Sequence, residues 1–232
     1  MIPKIIHYCW FGRGEMPPLA LKCIESWKRF LPDYELKEWN EETFDLQSNR
    51  YVREAYEAKK YAFVTDYVRL WAIYHYGGIY MDTDVEVLKN LDCFLAHPAF
   101  TGYEREDAIP TGIMASEPKG VWAKTMLDLY ADRRFIKPNG KMDLTTNVKL
   151  ITNYMRSHGL VLKSSMQNFE NILQLYPKDY FCPKDCLTGE IHLTANSYCI
   201  HHFSGSWKEK KGFWSRTWKK IRTTLFPSKK HY

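Results

Sequence analysis

The sequence contains no hydrophobic run long enough to cross a membrane. A spanning helix needs about 18–20 consecutive apolar residues, and none of the apolar stretches among the 232 residues reaches that length. The segment from Met1 to His7 also lacks the pattern of a signal peptide. We therefore expect a protein that is made and kept in the cytoplasm.

Cysteine is too scattered to indicate a disulfide framework or a zinc site. A zinc site would show paired cysteines or histidines at short, regular spacing, and the nearest approach to that pattern is the lone pair Cys182 and Cys186. In a cytoplasmic chain of this size we interpret the cysteines as reduced, mostly buried thiols. The six positions are Cys9, Cys23, Cys93, Cys182, Cys186 and Cys199.

The net positive charge of the chain comes from the residues that follow Trp207. Seven Lys and two Arg stand against one Glu from Trp207 onward, a net charge of +8, so the total of +6 leaves −2 on the preceding residues. We predict one domain over residues 1–207 and a basic amphipathic tail over 208–232. The tail's apolar residues recur at helical spacing, which is typical of a helix lying on a membrane surface. Packing of this helix on the domain is the alternative, and no motif supports a nucleic-acid partner. The apolar stripe consists of Trp214, Trp218, Ile221 and Leu225.

The first third of the chain alternates between strand and helix patterns. Lys4 to Trp10 is rich in β-branched and aromatic residues, which favours a buried strand. A helix pattern follows over Leu19 to Phe30, and a second strand pattern over Tyr34 to Trp39. The pattern of apolar residues predicts a helical region from Tyr51 to Tyr76, with a break near Lys59. This order indicates a parallel α/β unit.

Two carboxylates follow a short strand at residues 79–81. Gly77 ends the preceding helix, and Asp82 and Asp84 come directly after the strand. If the strand continues, the two carboxylates share a face and repel each other. A bound divalent cation would relieve that repulsion, and oxygen ligands suit Mg²⁺ or Mn²⁺ better than zinc. A solvated acidic turn is the alternative.

Other polar and aromatic groups are expected near the same cleft. Asp66 and Arg69 lie three residues apart on one face of the helix that leads into the strand. Trp10 lies at the end of the first strand, where α/β sheets bind ligands. It could stack on a nucleotide base, or it could belong to the core.

Three blocks, residues 6–12, 66–69 and 74–84, occur in the order and spacing of a known family. The sequence resembles the DXD-containing sugar transferases of glycosyltransferase family 32, in the branch of bacterial capsule and polysaccharide enzymes. It is also similar to the glucosyltransferase domain of clostridial toxins. The resemblance implies an α/β fold of the GT-A type, with a mixed central sheet flanked by helices.

A later block, residues 198–207, resembles the segment of the family that closes the metal site. His201 and His202 are neighbours on a predicted strand and therefore point to opposite faces, so the residues alone leave open which of them faces the metal. The resemblance implies a nucleotide-diphosphate sugar donor, Mn²⁺ or Mg²⁺, and transfer with retention of configuration.

The resemblance also assigns site residues. The donor-binding residues are His7, Trp10, Asp66, Arg69, Asp82, Ser206 and Trp207. The metal ligands are Asp84, His202 and Ser206, and the catalytic residues are Asp66, Arg69 and Asp82.

We therefore predict a metal-dependent, retaining glycosyltransferase. The expected donor is a UDP-sugar, and the expected acceptor is a glycan or lipid-linked saccharide in surface polysaccharide synthesis, reached at the inner face of the membrane. One alternative is a phosphotransferase or phosphatase with Asp82 as nucleophile, although such Asp-x-Asp pairs are found on the first strand. The other is a non-catalytic module that binds nucleotide-sugars.

Overall fold

A computed structural model describes residues 1–205, and a seven-stranded sheet forms their centre. The strands are β1 (Ile5–Cys9), β2 (Glu35–Trp39), β3 (Gly78–Met81), β4 (Val85–Val87), β5 (Ala99–Gly102), β6 (Ile113–Ser116), β7 (Gln167–Phe169), β8 (Leu173–Tyr176) and β9 (Cys199–His201). The helices are α1 (Pro18–Phe30), α2 (Arg50–Glu57), α3 (Tyr61–Tyr76), α4 (Val121–Asp128), α5 (Asn147–Ser157) and α6 (Lys178–Phe181).

The sheet is mixed, and most of its strands end at the same edge. Its order is β2-β1-β3-β6-β5-β8-β7, while β4 and β9 pair separately. Strand β1 is parallel to β2 and β3, and β5 is parallel to β8. Strand β6 is antiparallel to both β3 and β5, so these two also run the same way. The carboxyl ends of β1, β2, β3, β5 and β8 therefore lie along one edge, where α/β sheets place their ligands.

Alternation along the central strand produces two apolar layers. Ile79 and Met81 pack into one cluster, and Tyr80 between them packs into the other. Helix α1 covers the first layer, where the buried indole of Trp27 donates to the carbonyl of Val85 at 2.7 Å. Helices α2, α3 and α4 contribute to the second layer. The predicted mixed sheet flanked by helices is confirmed.

The predicted break in the long helical region is confirmed. Helix α2 ends at Glu57 and α3 begins at Tyr61. Lys59 between them has a φ of +57°, a left-handed conformation that cannot continue a helix. Helix α3 is therefore a separate helix from α2, and it carries Asp66 and Arg69.

The strand does not continue through the two aspartates, so the condition for a shared strand face is not met. Strand β3 ends at Met81, and the N–H of Val85 donates to the carbonyl of Asp82 at 2.9 Å. This hydrogen bond closes a four-residue turn. Asp82 and Asp84 are therefore brought together by the turn, not by strand alternation.

Parts of the carboxyl-terminal half were not predicted. Strands β7 and β8 and helix α6 are only three or four residues long, and segments of that length carry too little periodicity to identify. No helix among residues 1–205 has the length and hydropathy needed to cross a membrane. Ser206, Trp207 and the predicted tail over 208–232 lie outside the described residues.

Gly78 provides a test of how the central strand is joined to its neighbour. Its φ is +102°, and a Cβ atom there would lie 2.6 Å from the carbonyl oxygen of Ile5 on β1. We expect Gly78→Ala to lower the free energy of unfolding by at least about 2 kcal/mol, because it adds torsional strain and a backbone clash. Denaturant-induced unfolding measures this change.

Gly140 is the matched control. It also has a positive φ, +77°, but a Cβ atom added there would meet no other atom within 4 Å among the described residues. Gly140→Ala should therefore cost only the torsional strain, about 1 kcal/mol. Equal losses for the two variants would contradict the close approach of β1 and β3 at Gly78.

Candidate active site

A buried guanidinium joins two of the predicted site carboxylates. Arg69 Nη2 lies 3.4 Å from Asp66 Oδ1, and Arg69 Nη1 lies 3.1 Å from Asp82 Oδ1. The same Nη1 donates to the carbonyl of Thr111, and the guanidinium lies over the ring of Tyr80 at 4.5 Å. The predicted convergence of Asp66, Arg69 and Asp82 is therefore present in the structure.

Asp66 is buried and engaged on both oxygens. Its Oδ2 accepts the backbone N–H of Asn147 at 3.0 Å, at the start of helix α5. Burial raises the pKa of Asp66 to about 6, although Arg69 and the Asn147 N–H both favour the ionised form. The side-chain amide of Asn147 donates to the Asp66 carbonyl at 3.1 Å. Asn147 thus ties α5 to α3 and does not point into the cleft.

Asp82 is the most accessible of these groups. Its side chain is 25% exposed, against 6% for Arg69. The hydroxyl of Tyr80 donates to Asp82 Oδ1 at 2.7 Å. That oxygen is therefore held by two protein donors, and the carboxylate has a fixed orientation with one edge open to the cleft.

Asp84 forms a second pair with a histidine from the last described strand. His201 Nε2 lies 3.3 Å from Asp84 Oδ1 and 4.0 Å from Asp82 Oδ2. Burial by itself would raise the pKa of Asp84, but the hydrogen bond and charge of His201, together with Ser204, hold it well below its usual range. Burial would likewise lower the pKa of His201, but Asp84 and Cys182 raise it well above its ordinary value.

The pairing of β4 with β9 decides which histidine faces the carboxylates. Val85 is opposite His201 in this antiparallel pair, and the N–H of His202 donates to the Asp84 carbonyl at 2.9 Å. The ring of His202 points the other way and lies 2.8 Å from Glu86 Oε2. The prediction that His202 is a metal ligand is therefore corrected: His201 occupies that position.

The chain turns sharply after His201 and returns a donor to Asp84. Phe203 has a φ of +53°, and its ring lies 4.1 Å from that of His201. The turn directs the backbone N–H of Ser204 at Asp84 Oδ2, at a distance of 2.7 Å. Residues after β9 therefore complete the shell around Asp84.

The residues present fit a divalent metal. One ligand atom each from Asp82, Asp84 and His201 lies within 4.8 Å of the other two. Two carboxylates suit Mn²⁺ or Mg²⁺, and the added imidazole, a ligand typical of transition metals, favours Mn²⁺ of the two. Nε2 of His201 faces the carboxylates. Nδ1 of the same ring is buried and has no hydrogen-bond partner in the described part of the chain.

A glycine makes room for this histidine. A Cβ atom on Gly112 would lie 2.7 Å from the His201 ring. The carbonyl of Gly112 also accepts the N–H of Asp82 at 2.8 Å. Gly112 and the neighbouring carbonyl of Thr111 were not predicted as site residues. Their positions depend on the pairing of β3 with β6, which the local sequence does not reveal.

Trp10 and His7, both predicted to bind the donor, have different environments. Trp10 is half-buried at the carboxyl end of β1, and its indole N–H donates to the carbonyl of Gly14 at 2.6 Å. Its position suits stacking against a ligand. His7 is fully buried, with Nε2 at 2.7 Å from the carbonyl of Gly77 and Nδ1 accepting from the indole of Trp39. Neither nitrogen of His7 is available, so this ring has a packing role.

Comparison with known proteins shows which proteins this chain resembles. Residues 17–101 match the model of a family described as the glycosyltransferase sugar-binding region containing the DXD motif. Residues 17–101 of this chain are therefore similar to the sugar-binding region of glycosyltransferases. The matched segment includes Asp66, Arg69, Asp82 and Asp84, but it ends before Gly112 and His201.

Curated proteins that are similar to this chain include enzymes of yeasts and a glycosyltransferase of a virus. Inositol phosphoceramide mannosyltransferase 3 of Schizosaccharomyces pombe is 32% identical over 49% of this chain and 33% of its own length. The chain thus spans about a third of that relative. An uncharacterised glycosyltransferase of Acanthamoeba polyphaga mimivirus is 25% identical over 89% of this chain and 84% of its own length.

The fold is that of a solved glycosyltransferase. PaToxG glycosyltransferase superposes with a TM-score of 0.54 over 68% of this chain and 69% of its own, at 17% sequence identity. The predicted GT-A type of fold is confirmed.

Paired histidine variants test the metal position. We expect His201→Ala to weaken Mn²⁺ binding by at least about tenfold, since even outer-shell partners of a metal are worth roughly 10–100-fold. Calorimetric titration with Mn²⁺ in the presence of UDP gives the affinity. His202→Ala is the control, because its ring contacts Glu86 and leaves the carboxylate pair intact. A larger loss for the His202 variant would contradict the assignment.

Proposed function

We propose that this glycosyltransferase transfers a sugar from a nucleotide-diphosphate donor, with retention of configuration, and depends on Mn²⁺ or Mg²⁺. One observation supports this proposal most strongly. Asp82, Asp84 and His201 meet at the carboxyl edge of the parallel strands, next to the buried Asp66–Arg69 pair. This edge is where α/β sheets bind nucleotides.

Asp82, Asp84 and His201 would hold the metal. When bound, the cation supplies positive charge that neutralises the diphosphate as it departs. Ser204 contributes its N–H to Asp84 at 2.7 Å, which keeps that carboxylate ionised and oriented. Burial lowers the pKa of His201, but Asp84 and Cys182 raise it well above its ordinary value. A bound metal would take the place of the Nε2 proton beside Asp84.

Arg69 and Asp66 act in the proposal as positioning residues. The two Nη atoms of Arg69 contact Asp66, Asp82 and the Thr111 carbonyl, so the guanidinium fixes the carboxylates without reaching far into the cleft. Asp82 has the more open carboxylate and would accept a hydrogen bond from a hydroxyl of the ribose or the donor sugar. A fixed negative group there also favours the positive charge that develops on the sugar.

Trp10 would stack on the base of the donor. Its strand, β1, is adjacent to β3 in the sheet, which places it on the β2 side of Asp82. We propose uracil as the base, from the resemblance to toxin-like blocks. GDP-mannose is the competing donor, since the curated relatives include mannosyltransferases.

The acceptor is proposed to be a glycan or a lipid-linked saccharide in surface polysaccharide synthesis. The support is the basic sequence from Trp207 onward, with its net charge of +8. Such a segment is attracted to anionic membrane surfaces. We propose a cytoplasmic enzyme that meets its acceptor at the inner face of a membrane.

A phosphoaspartate mechanism at Asp82 is less well supported. One oxygen of this carboxylate is held by Arg69 and the hydroxyl of Tyr80, and the pair of aspartates follows the third strand of the chain. The similarity of residues 17–101 to the sugar-binding region of glycosyltransferases also favours sugar transfer.

A thermal-shift screen tests the proposed function. UDP, UDP-glucose, UDP-galactose and GDP-mannose are each added with Mn²⁺ or with EDTA. We expect one nucleotide class to raise the melting temperature only when Mn²⁺ is present, because a ligand that binds the folded state stabilises it by mass action. A shift by nucleotide that is the same in EDTA would contradict the metal-dependent donor site.

Asp84→Asn is the matched variant for this screen. It keeps the shape of the side chain and removes the charge, so the metal-dependent shift and the release of nucleoside diphosphate should both be lost. Asp128→Asn is the control, since Asp128 pairs with Lys124 on helix α4 outside the cluster. Full activity of the Asp84 variant would overturn the proposed metal role.

A further inference from the structure

The loop between β5 and β6 begins and ends at the active site. It leaves the carboxyl end of β5, two strands from β3, and returns at Thr111 and Gly112. Thr111 accepts from Arg69, and Gly112 accepts from Asp82. The first part of the loop is closed by a hydrogen bond of 3.0 Å from the N–H of Glu104 to the carbonyl of Ala108. The second end of the loop is therefore fixed to Arg69 and Asp82, and its first part is closed on itself.

Glu104 differs from the other charged residues of this loop. Arg105 and Asp107 pair with each other at 3.2 Å, and Glu106 accepts the N–H of Ser164 at 3.2 Å. All three are exposed, whereas Glu104 is half-buried. Among residues 1–205, no hydrogen bond or ion pair engages the Glu104 carboxylate.

The surroundings of Glu104 are those of the active site. Burial raises the pKa of Glu104, and the negative charge of Asp82 adds to this effect, while His201 and Arg105 oppose it. Glu104 also follows β5 by two residues, at the same edge of the sheet as Asp82 after β3. A half-buried carboxylate without a protein donor keeps its acceptor positions free, so a hydroxyl of a bound ligand can donate to it.

The order of the strands indicates which substrate would bring this hydroxyl to Glu104. Trp10 follows β1, Asp82 follows β3, and Glu104 follows β5, with β6 between the last two strands. If the base lies at Trp10 and the diphosphate at Asp82 and Asp84, Glu104 lies beyond the diphosphate, on the opposite side from the base. That side is where a second substrate must approach the donor sugar.

We propose that Glu104 is an acceptor-positioning residue, whose carboxylate accepts a hydrogen bond from a hydroxyl of the acceptor saccharide. This inference rests on the proposed function, since it presumes a donor bound across Trp10 and the metal ligands. It adds a residue outside the matched family segment, on the β5 side of the cleft. A carboxylate in this position suits a sugar hydroxyl, which can donate to it.

The test separates acceptor from donor binding in Glu104→Gln. The acceptor probe is whichever methyl glycoside of mannose, galactose or glucose most increases nucleoside diphosphate release by the unchanged protein. We expect the variant to raise the KM for this saccharide by about tenfold or more, the loss expected for one hydrogen bond to a charged group. Its affinity for UDP with Mn²⁺, measured by calorimetry, should match that of the unchanged protein.

Glu106→Gln is the matched control on the same loop, and its saccharide KM should not change. An unchanged saccharide KM in the Glu104 variant would overturn the proposal. A loss of UDP and Mn²⁺ affinity in that variant would also overturn it, since Glu104 would then belong to the donor site. Failure of the unchanged protein to bind UDP with Mn²⁺ would instead contradict the proposed donor, which keeps the two hypotheses distinguishable.

Discussion

The active site depends on one buried cation shared by several chain segments. Arg69 lies on α3, and its guanidinium contacts Asp66 on the same helix, Asp82 after β3 and the Thr111 carbonyl before β6. Burying a guanidinium is costly unless each of its donors finds a partner. Here two carboxylates and the carbonyls of Thr65 and Thr111 supply these partners, so the helix, the turn and the loop are held in a fixed relation.

The candidate metal ligands depend on that arrangement and extend it. Asp82 is oriented by Arg69 and Tyr80, and the turn after β3 places Asp84 beside it. Asp84 is then met by residues near the end of the described chain, with Ser204 lying 120 positions away in sequence. Contacts between such distant residues carry a cost in chain entropy, and the pairing of β9 with β4 supplies the last of them.

Much of this arrangement could be predicted from local patterns. The break near Lys59, the (i, i+3) spacing of Asp66 and Arg69, and the glycines before β3 all act within a few residues, and the structure agrees with them. The choice between His201 and His202 could not be predicted, because it depends on the register between β4 and β9. The backbone groups of Thr111, Gly112 and Ser204 carry no residue-type signal, and Glu104 gains its meaning only from the strand order.

The two aspartates lie close together for a reason other than strand alternation. Strand alternation predicts a shared face for Asp82 and Asp84, but the strand ends at Met81 and a turn brings them together. After the turn, the backbone carbonyl of Asp84 is free to accept a hydrogen bond from β9. Pairing of the Asp84 carbonyl with the His202 N–H then places His201 on the carboxylates.

Anomalous diffraction at the manganese edge, from crystals grown with Mn²⁺ and UDP, tests the assignment of the metal ligands most directly. We expect one strong peak at bonding distance from the Asp84 carboxylate and Nε2 of His201, on the side where Asp82 and the diphosphate lie. A peak bound by His202 and Glu86, or the absence of any peak at saturating Mn²⁺ and UDP, would contradict this assignment.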